Sequence, residues 1–178
     1  MARLIALLRA VNVGGRKLPM AELRALCGDL GWGDVATYIQ SGNLIFRAPG
    51  KPRQLEARLE EAIKSRFGLD VPVLVRTSAQ WADYIVSNPF PEAGREAPNR
   101  LQLLVSKHPP RADAAETLME RAEAGEEVKA AAGALWLHFP AGIARSKLTP
   151  AVIDKACGSP STGRNWRTVV TLGEMAEG

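Results

Sequence analysis

The chain has 178 residues, 46% apolar and 24% charged, with a formal net charge of +4. These proportions suit one domain or two closely packed halves of a globular protein and exclude a disordered or fibrous chain. The apolar run Leu4–Leu8 is too short to cross a bilayer, and Arg9 cuts it off before it can serve as a signal-peptide core. Two cysteines, Cys27 and Cys157, point to a reducing compartment rather than a disulfide scaffold, so a soluble cytoplasmic protein without a membrane partner is expected.

Residues 3–8 read as a buried strand that ends in Arg9, Asn12, Gly14, Gly15, Arg16 and Lys17. A buried strand delivering its end to a donor-rich Gly-Gly loop is a natural anion holder. No acidic residue precedes Glu22, so Arg3, Arg9, Arg16 and Lys17 stand unopposed over the first 21 residues. A helix follows over 19–30, with Pro19 in its first turn and Met20, Leu23, Leu26, Cys27 and Leu30 on one face. Strands at 35–39 and 44–46 flank Gln40, Ser41, Gly42 and Asn43, which read as a tight hairpin tip. A second helix, 53–67, and a strand alternating Val71, Val73 and Val75 complete a βαββαβ order, the ferredoxin-like pattern.

The remaining residues repeat this order imperfectly. Thr77 and Gln80 are spaced as a capping box for a connecting helix, and the proline-rich stretch 88–98 reads as the loop between halves. A strand is expected at 101–106, a helix at 112–123, a hairpin of 126–131 and 134–139 around Gly133, and a helix from Thr149 and Pro150 to Gly158. Residues 163–176 read as a helix capped by Thr162, although Val169, Val170 and Thr171 locally favour a strand. The expected architecture is α+β with two ferredoxin-like βαββα-type halves packed together: 1–87, a connecting loop at 88–99, and 100–178 with a terminal helix.

Charge is laid out unevenly. Residues 1–90 hold 12 basic and 8 acidic side chains, whereas 91–178 hold 11 of each. Within the second half, Glu116, Glu120, Glu123, Glu126 and Glu127 form an acidic block, while 142–173 sets Arg145, Lys147, Lys155, Arg164 and Arg167 against Asp154 alone. Arg145 and Lys147 precede the helix expected after Thr149 and Arg164 opens the one expected after Thr162; cations beside a helix N-terminus oppose its dipole unless they bind something negative. The two basic segments are therefore expected to converge on one anion-binding cleft.

The segments Arg9–Gly15, Thr37–Asn43, Leu137–Thr149 and Gly163–Thr168 resemble signature segments of a bacterial family of uncharacterised proteins, domain of unknown function 1697. The resemblance runs in the same order from residue 3 to about 176. It implies a duplicated ferredoxin-like α+β fold and no particular activity. Family members usually carry Gly where this chain has Ala10, so a positive φ at that position is not expected here.

Catalytic signals are weak. Neither a P-loop, a dinucleotide fingerprint, a GxSxG elbow nor an HExxH motif occurs, and His108 and His138 lack metal-ligand spacing, so no cofactor and no metal are expected. The pairs Glu60-Glu61 and Glu126-Glu127 lie in surface-type contexts. Trp166 shares helical spacing with Val169 and Val170, which favours packing over base stacking. The candidate ligand-binding residues are Arg9, Asn12, Gly14, Gly15, Lys17, Gln40, Ser41, Asn43, Arg145, Lys147, Arg164 and Asn165, holding an anionic small molecule or RNA. An enzyme acting on a phosphorylated substrate and a protein-interaction module are the competing classes.

Overall fold

The computed structural model describes all 178 residues. It is an α+β protein with two four-stranded antiparallel sheets and seven α-helices. Two compact units divide the chain: Met1–Trp81 with Leu172–Gly178, and Ala82–Thr171. No helix is long and apolar enough to cross a membrane.

The first unit holds β1 (Leu4–Leu8), α1 (Met20–Asp29), β2 (Gly33–Tyr38), β3 (Asn43–Arg47), α2 (Pro52–Phe67) and β4 (Val73–Thr77). Its sheet runs β2-β3-β1-β4, all neighbours antiparallel. All five residues of β1 are buried. On one face, Leu4, Ala6 and Leu8 meet the apolar stripes of α1 (Leu23, Leu26, Cys27) and α2 (Leu55, Leu59, Ile63). Trp32 stacks on Phe46 with ring centroids 4.3 Å apart. Pro19 is the residue before α1 rather than part of its first turn, and β4 begins at Val73, leaving Val71 in the preceding loop.

The outward N–H groups of β4 find partners in side chains. Val75 N–H donates to Glu56 Oε1 and Val73 N–H to Glu60 Oε1, each at 2.9 Å. Four helical residues advance about 6 Å and two strand residues about 6.6 Å, so carboxylates at i and i+4 on α2 match alternate amides of β4. Thr77 N–H donates to Gln80 Oε1 while Gln80 N–H donates back to Thr77 Oγ1, the reciprocal box its spacing predicts, opening α3 (Ser78–Val86).

The second unit continues with α4 (Pro91–Glu96), a 3₁₀ turn at Pro98–Arg100, β5 (Leu101–Ser106), α5 (Ala114–Met119), β6 (Glu127–Ala131), β7 (Ala134–His138), α6 (Pro150–Cys157), β8 (Ser161–Asn165) and α7 (Trp166–Glu177), the last of which enters the first unit from Leu172. Its sheet runs β6-β7-β5-β8. Leu104, Leu118, Leu135, Leu137, Leu148 and Ile153 form its core. The duplication extends to detail: Arg9 N–H donates to Pro72 O in the first unit, and Lys107 N–H to Pro160 O at the matching strand end of the second.

Three further expectations need correction. The stretch 88–98 is not simply a loop, because Pro91, with φ preset for a first turn, starts α4. The helix expected over 112–123 is confined to Ala114–Met119. Residues 163–165 belong to strand β8, paired with β5 from Gln102↔Asn165 to Ser106↔Ser161, so Thr162 lies inside a strand. Asn165 caps the helix instead, its Oδ1 accepting from Thr168 N–H at 3.0 Å.

Replacing Glu56, which is 3% exposed, with Ala strands the buried Val75 N–H and should destabilise by about 2–4 kcal/mol. Glu56→Gln retains the acceptor oxygen but gives up the ion pair with Arg76 at 3.6 Å, and should lose less than Glu56→Ala. Denaturant midpoints of the two variants check this, and equal losses would put the weight of Glu56 in the Arg76 pair rather than in the amide.

Candidate functional site

Two loops meet at the end of β1 in the first unit. Leu8 N–H donates to Gly42 O at 2.8 Å, tying the strand to the β2–β3 tip. The Asn12 side chain then joins the loops: Nδ2 donates to Gln40 O at 2.7 Å and to Leu18 O at 3.0 Å, and Oδ1 accepts from Leu18 N–H at 2.9 Å. Two of the sequence-predicted segments are thus brought together, with Asn12 as the tie between them.

Gly14 and Gly15, with φ of 56° and 82°, form a two-residue turn of type I′ closed by Arg16 N–H to Val13 O at 3.1 Å. Asn12 N–H donates to Arg16 O, so this tip is a small hairpin of its own. Lys17 is exposed, Arg9 is half-buried, and Arg16 donates from Nη2 to Asp70 O. Gln40 and Ser41 are exposed, whereas Asn43 is fully buried and donates from Nδ2 to Tyr38 O and Ser41 Oγ. Asn43 therefore shapes the tip from beneath.

Backbone strain gathers here. Ala10, Asn12 and Ile39 have φ of 54°, 57° and 51°, a region that asparagine tolerates but that costs Ala10 and Ile39 roughly 1–2 kcal/mol each; Asp34 and Ala132 adopt it elsewhere in the chain. Ala10 thus adopts a positive φ after all, because the chain must turn sharply where Arg9 leaves the sheet. Ile39, β-branched and 51% exposed, is the least expected occupant of that region. The sequence reading placed Ile39 in the strand expected at 35–39; β2 instead ends at Tyr38, and no local signal marks a β-branched residue for a left-handed conformation.

In the second unit, Arg145 and Lys147 are exposed in the loop ahead of α6. Between them Ser146 Oγ donates to Glu126 Oε1 at 2.7 Å, and Ala124 N–H donates to Glu126 Oε2 at 2.8 Å. Glu126 is buried at 2% exposure, contrary to the surface context its exposed acidic neighbours suggest; of the Glu126-Glu127 pair, Glu127 alone faces solvent. Burial alone would raise the Glu126 pKa, but the Ser146 hydroxyl and the amides of Ala124, Glu126 and Glu123 outweigh it and hold the pKa below the ordinary value. Arg164 is also buried; it donates to Thr162 Oγ1 at 2.8 Å and Gly163 O at 3.0 Å, and burial lowers its pKa to about 10. Asn165 is engaged as the α7 cap.

The thiols are poor nucleophiles. Burial pushes Cys27 up to about 12, and burial with the nearby Asp154 charge pushes Cys157 up to about 11. Trp166 packs against Trp136 with centroids 5.7 Å apart, and its Nε1 lies 3.1 Å from where a side chain on Gly94 would begin. His138 lies half-buried beside the Phe90 ring.

Gly42 has φ of 85°, and a Cβ there would lie 2.7 Å from Val11 Cγ2 and 2.8 Å from Leu8 Cβ. Gly42→Val should cost about 2–5 kcal/mol, and Ser41→Ala under about 1 kcal/mol; equal urea midpoints would contradict the close approach. Because the folded Glu126 pKa is depressed, its contribution is fully present above the ordinary value of 4.5 and is lost as pH falls through the folded value. Glu126→Gln should cost about 1–3 kcal/mol at pH 7, and the gap from wild type should narrow in melts recorded below pH 4.

Comparisons with known proteins agree with this architecture. No curated protein matches the chain. Among solved structures, a conserved bacterial protein from Streptococcus pneumoniae, SP0830, is similar over 98% of both chains, with a TM-score of 0.72 and 22% identity, a likeness of fold. The family model described as protein of unknown function, DUF1697, matches residues 1–136, the span that includes β1 with its glycine turn, the Asn43 tip and most of the second sheet, and the chain belongs to that family.

Proposed function

We propose that this protein binds a phosphate-bearing ligand at the β1 end of the first unit. The carrying observation is the set of three left-handed non-glycine residues, Asn12 and the strained Ala10 and Ile39, in two loops joined by the Asn12 amide. Such strain persists where surrounding contacts over-determine the backbone, and it gathers at binding sites because position matters there. Around it stand Arg9, Arg16 and Lys17, with no acidic residue before Glu22. The exposed Gln40 and Ser41 add neutral donors and acceptors beside this charge. In this reading Asn12 and Asn43 position the loops, the Gly14–Gly15 turn presents its amides, and Arg9 and Lys17 supply the charge.

We read each unit as ferredoxin-like; the βαββαβ order and the antiparallel arrangement β2-β3-β1-β4 support this. The free, buried thiols suit work in the cytoplasm. The ligand is a small phosphorylated molecule or RNA, and salt dependence separates the two.

The test uses an Arg9→Ala, Lys17→Ala double variant, titrated with inorganic pyrophosphate by calorimetry and with a labelled single-stranded RNA by anisotropy. Wild type should bind at least one probe, and the variant, with an unchanged melting temperature, should bind it at least tenfold more weakly. If RNA is the ligand, the slope of log affinity against log salt should also fall by about 1–2. Binding unchanged in the variant, or absent from wild type for both probes at low salt, would remove this site.

A further inference from the structure

The seam between α5 and α6 opens into a groove of about 410 Å³ lined by Arg111, Arg121, Lys155 and Asp113, with Val152 and Ala156 on its apolar side. Three cations thus face a single carboxylate, and that carboxylate is paired with Arg111 at 3.4 Å. Neither Arg121 nor Lys155 has a carboxylate within 4 Å. Like charges gathered in one concavity repel unless a counter-charge occupies it.

The duplicated half provides an internal control. The corresponding seam, between α1 and α2, also carries cations, but they are engaged within the chain. Arg66 pairs with Asp29 at 2.6 Å, and Arg58 donates to Leu30 O at 2.8 Å. The same architecture thus engages these cations of one helix seam, through one ion pair and one backbone carbonyl, and leaves Arg121 and Lys155 of the other without a carboxylate partner. The dipole of α6 favours Lys155 in its last turn, but it gives no reason for Arg111 and Arg121 to share the same groove.

From this contrast we infer that the α5–α6 groove is a binding site for a phosphomonoester with an apolar or ring-shaped body, of the size of a nucleoside monophosphate. Two uncompensated positive charges match a dianionic phosphate, and the volume lies in the range of small-molecule sites. Arg111 is pre-positioned, its stem lying 3.3 Å from where a side chain on Gly158 would begin and its carbonyl accepting from Ala114 N–H. Arg121 and Lys155 close on the phosphate, and the wall of Val152 and Ala156 takes the body of the ligand.

The experiment is an amide NMR titration of the full chain with AMP and, separately, with inorganic phosphate. AMP should shift the Thr117, Val152 and Ala156 amides saturably and bind at least tenfold more tightly than phosphate. Arg121→Ala with Lys155→Ala, both exposed positions that leave the melting temperature in place, should weaken AMP at least tenfold. Arg9→Ala with Lys17→Ala should leave these shifts unchanged, which separates this site from the first-unit loops. No saturable shift at these amides, or shifts that survive loss of Arg121 and Lys155, would overturn the assignment. Equal affinities for AMP and phosphate would overturn the ring-bearing ligand.

Discussion

Strand β1 meets water on neither face, and the rest of the first unit follows from that. A strand buried on both sides has no room for a polar side chain, so Leu4–Leu8 is entirely apolar. Both of its backbone ladders must also be occupied, by β3 on one side and β4 on the other. Charge can enter only where the strand stops, and there Arg9 begins a run of polar and strained residues. The second unit repeats the central placement with β5, which admits Gln102 and a buried Ser106 among its apolar residues, and Lys107 stands at the matching position.

Placing chemistry at strand ends makes the connecting backbone the component that needs support. Asn12 supplies it in the first unit, turning one side-chain amide into a splint between residues 28 positions apart. Glu126 has the same task in the second unit, bracing Ser146 in the loop that carries Arg145 and Lys147. Both are polar residues engaged with backbone or neighbouring loops, which leaves the exposed cations around them available. The duplicated halves therefore share a plan without sharing residues.

Much of this architecture was legible in the sequence because period and punctuation agreed. The stripes of α1 and α2, the Thr77–Gln80 box, the Thr149 cap and the Gly158 stop each have a local cause. Strand β8 was not legible, since Ser161-Thr-Gly-Arg-Asn has no apolar alternation and is a strand through its pairing with β5. Burial of Glu126 was hidden for a similar reason: its hydroxyl partner lies 20 residues away in a loop. The glycine turn was visible as a turn, but the left-handed Ala10 and Ile39 were not, because neither residue type favours that conformation. The α5–α6 groove draws its cations from three separate segments, so no run of sequence announced it.

The carboxylates of α2 have one more consequence, for how molecules of this protein meet one another. An open antiparallel sheet ends in a strand whose outward amides invite a second chain to pair, the route by which such folds polymerise. On β4 the outward amides of Val73, Val75 and Thr77 are already held by Glu60, Glu56 and Gln80. An incoming strand would have to displace three side-chain acceptors, one of them a carboxylate also held by Arg76 at 3.6 Å. With Pro72 just ahead of β4, that border of the sheet is insulated against fibre growth without a bulge or a covering strand.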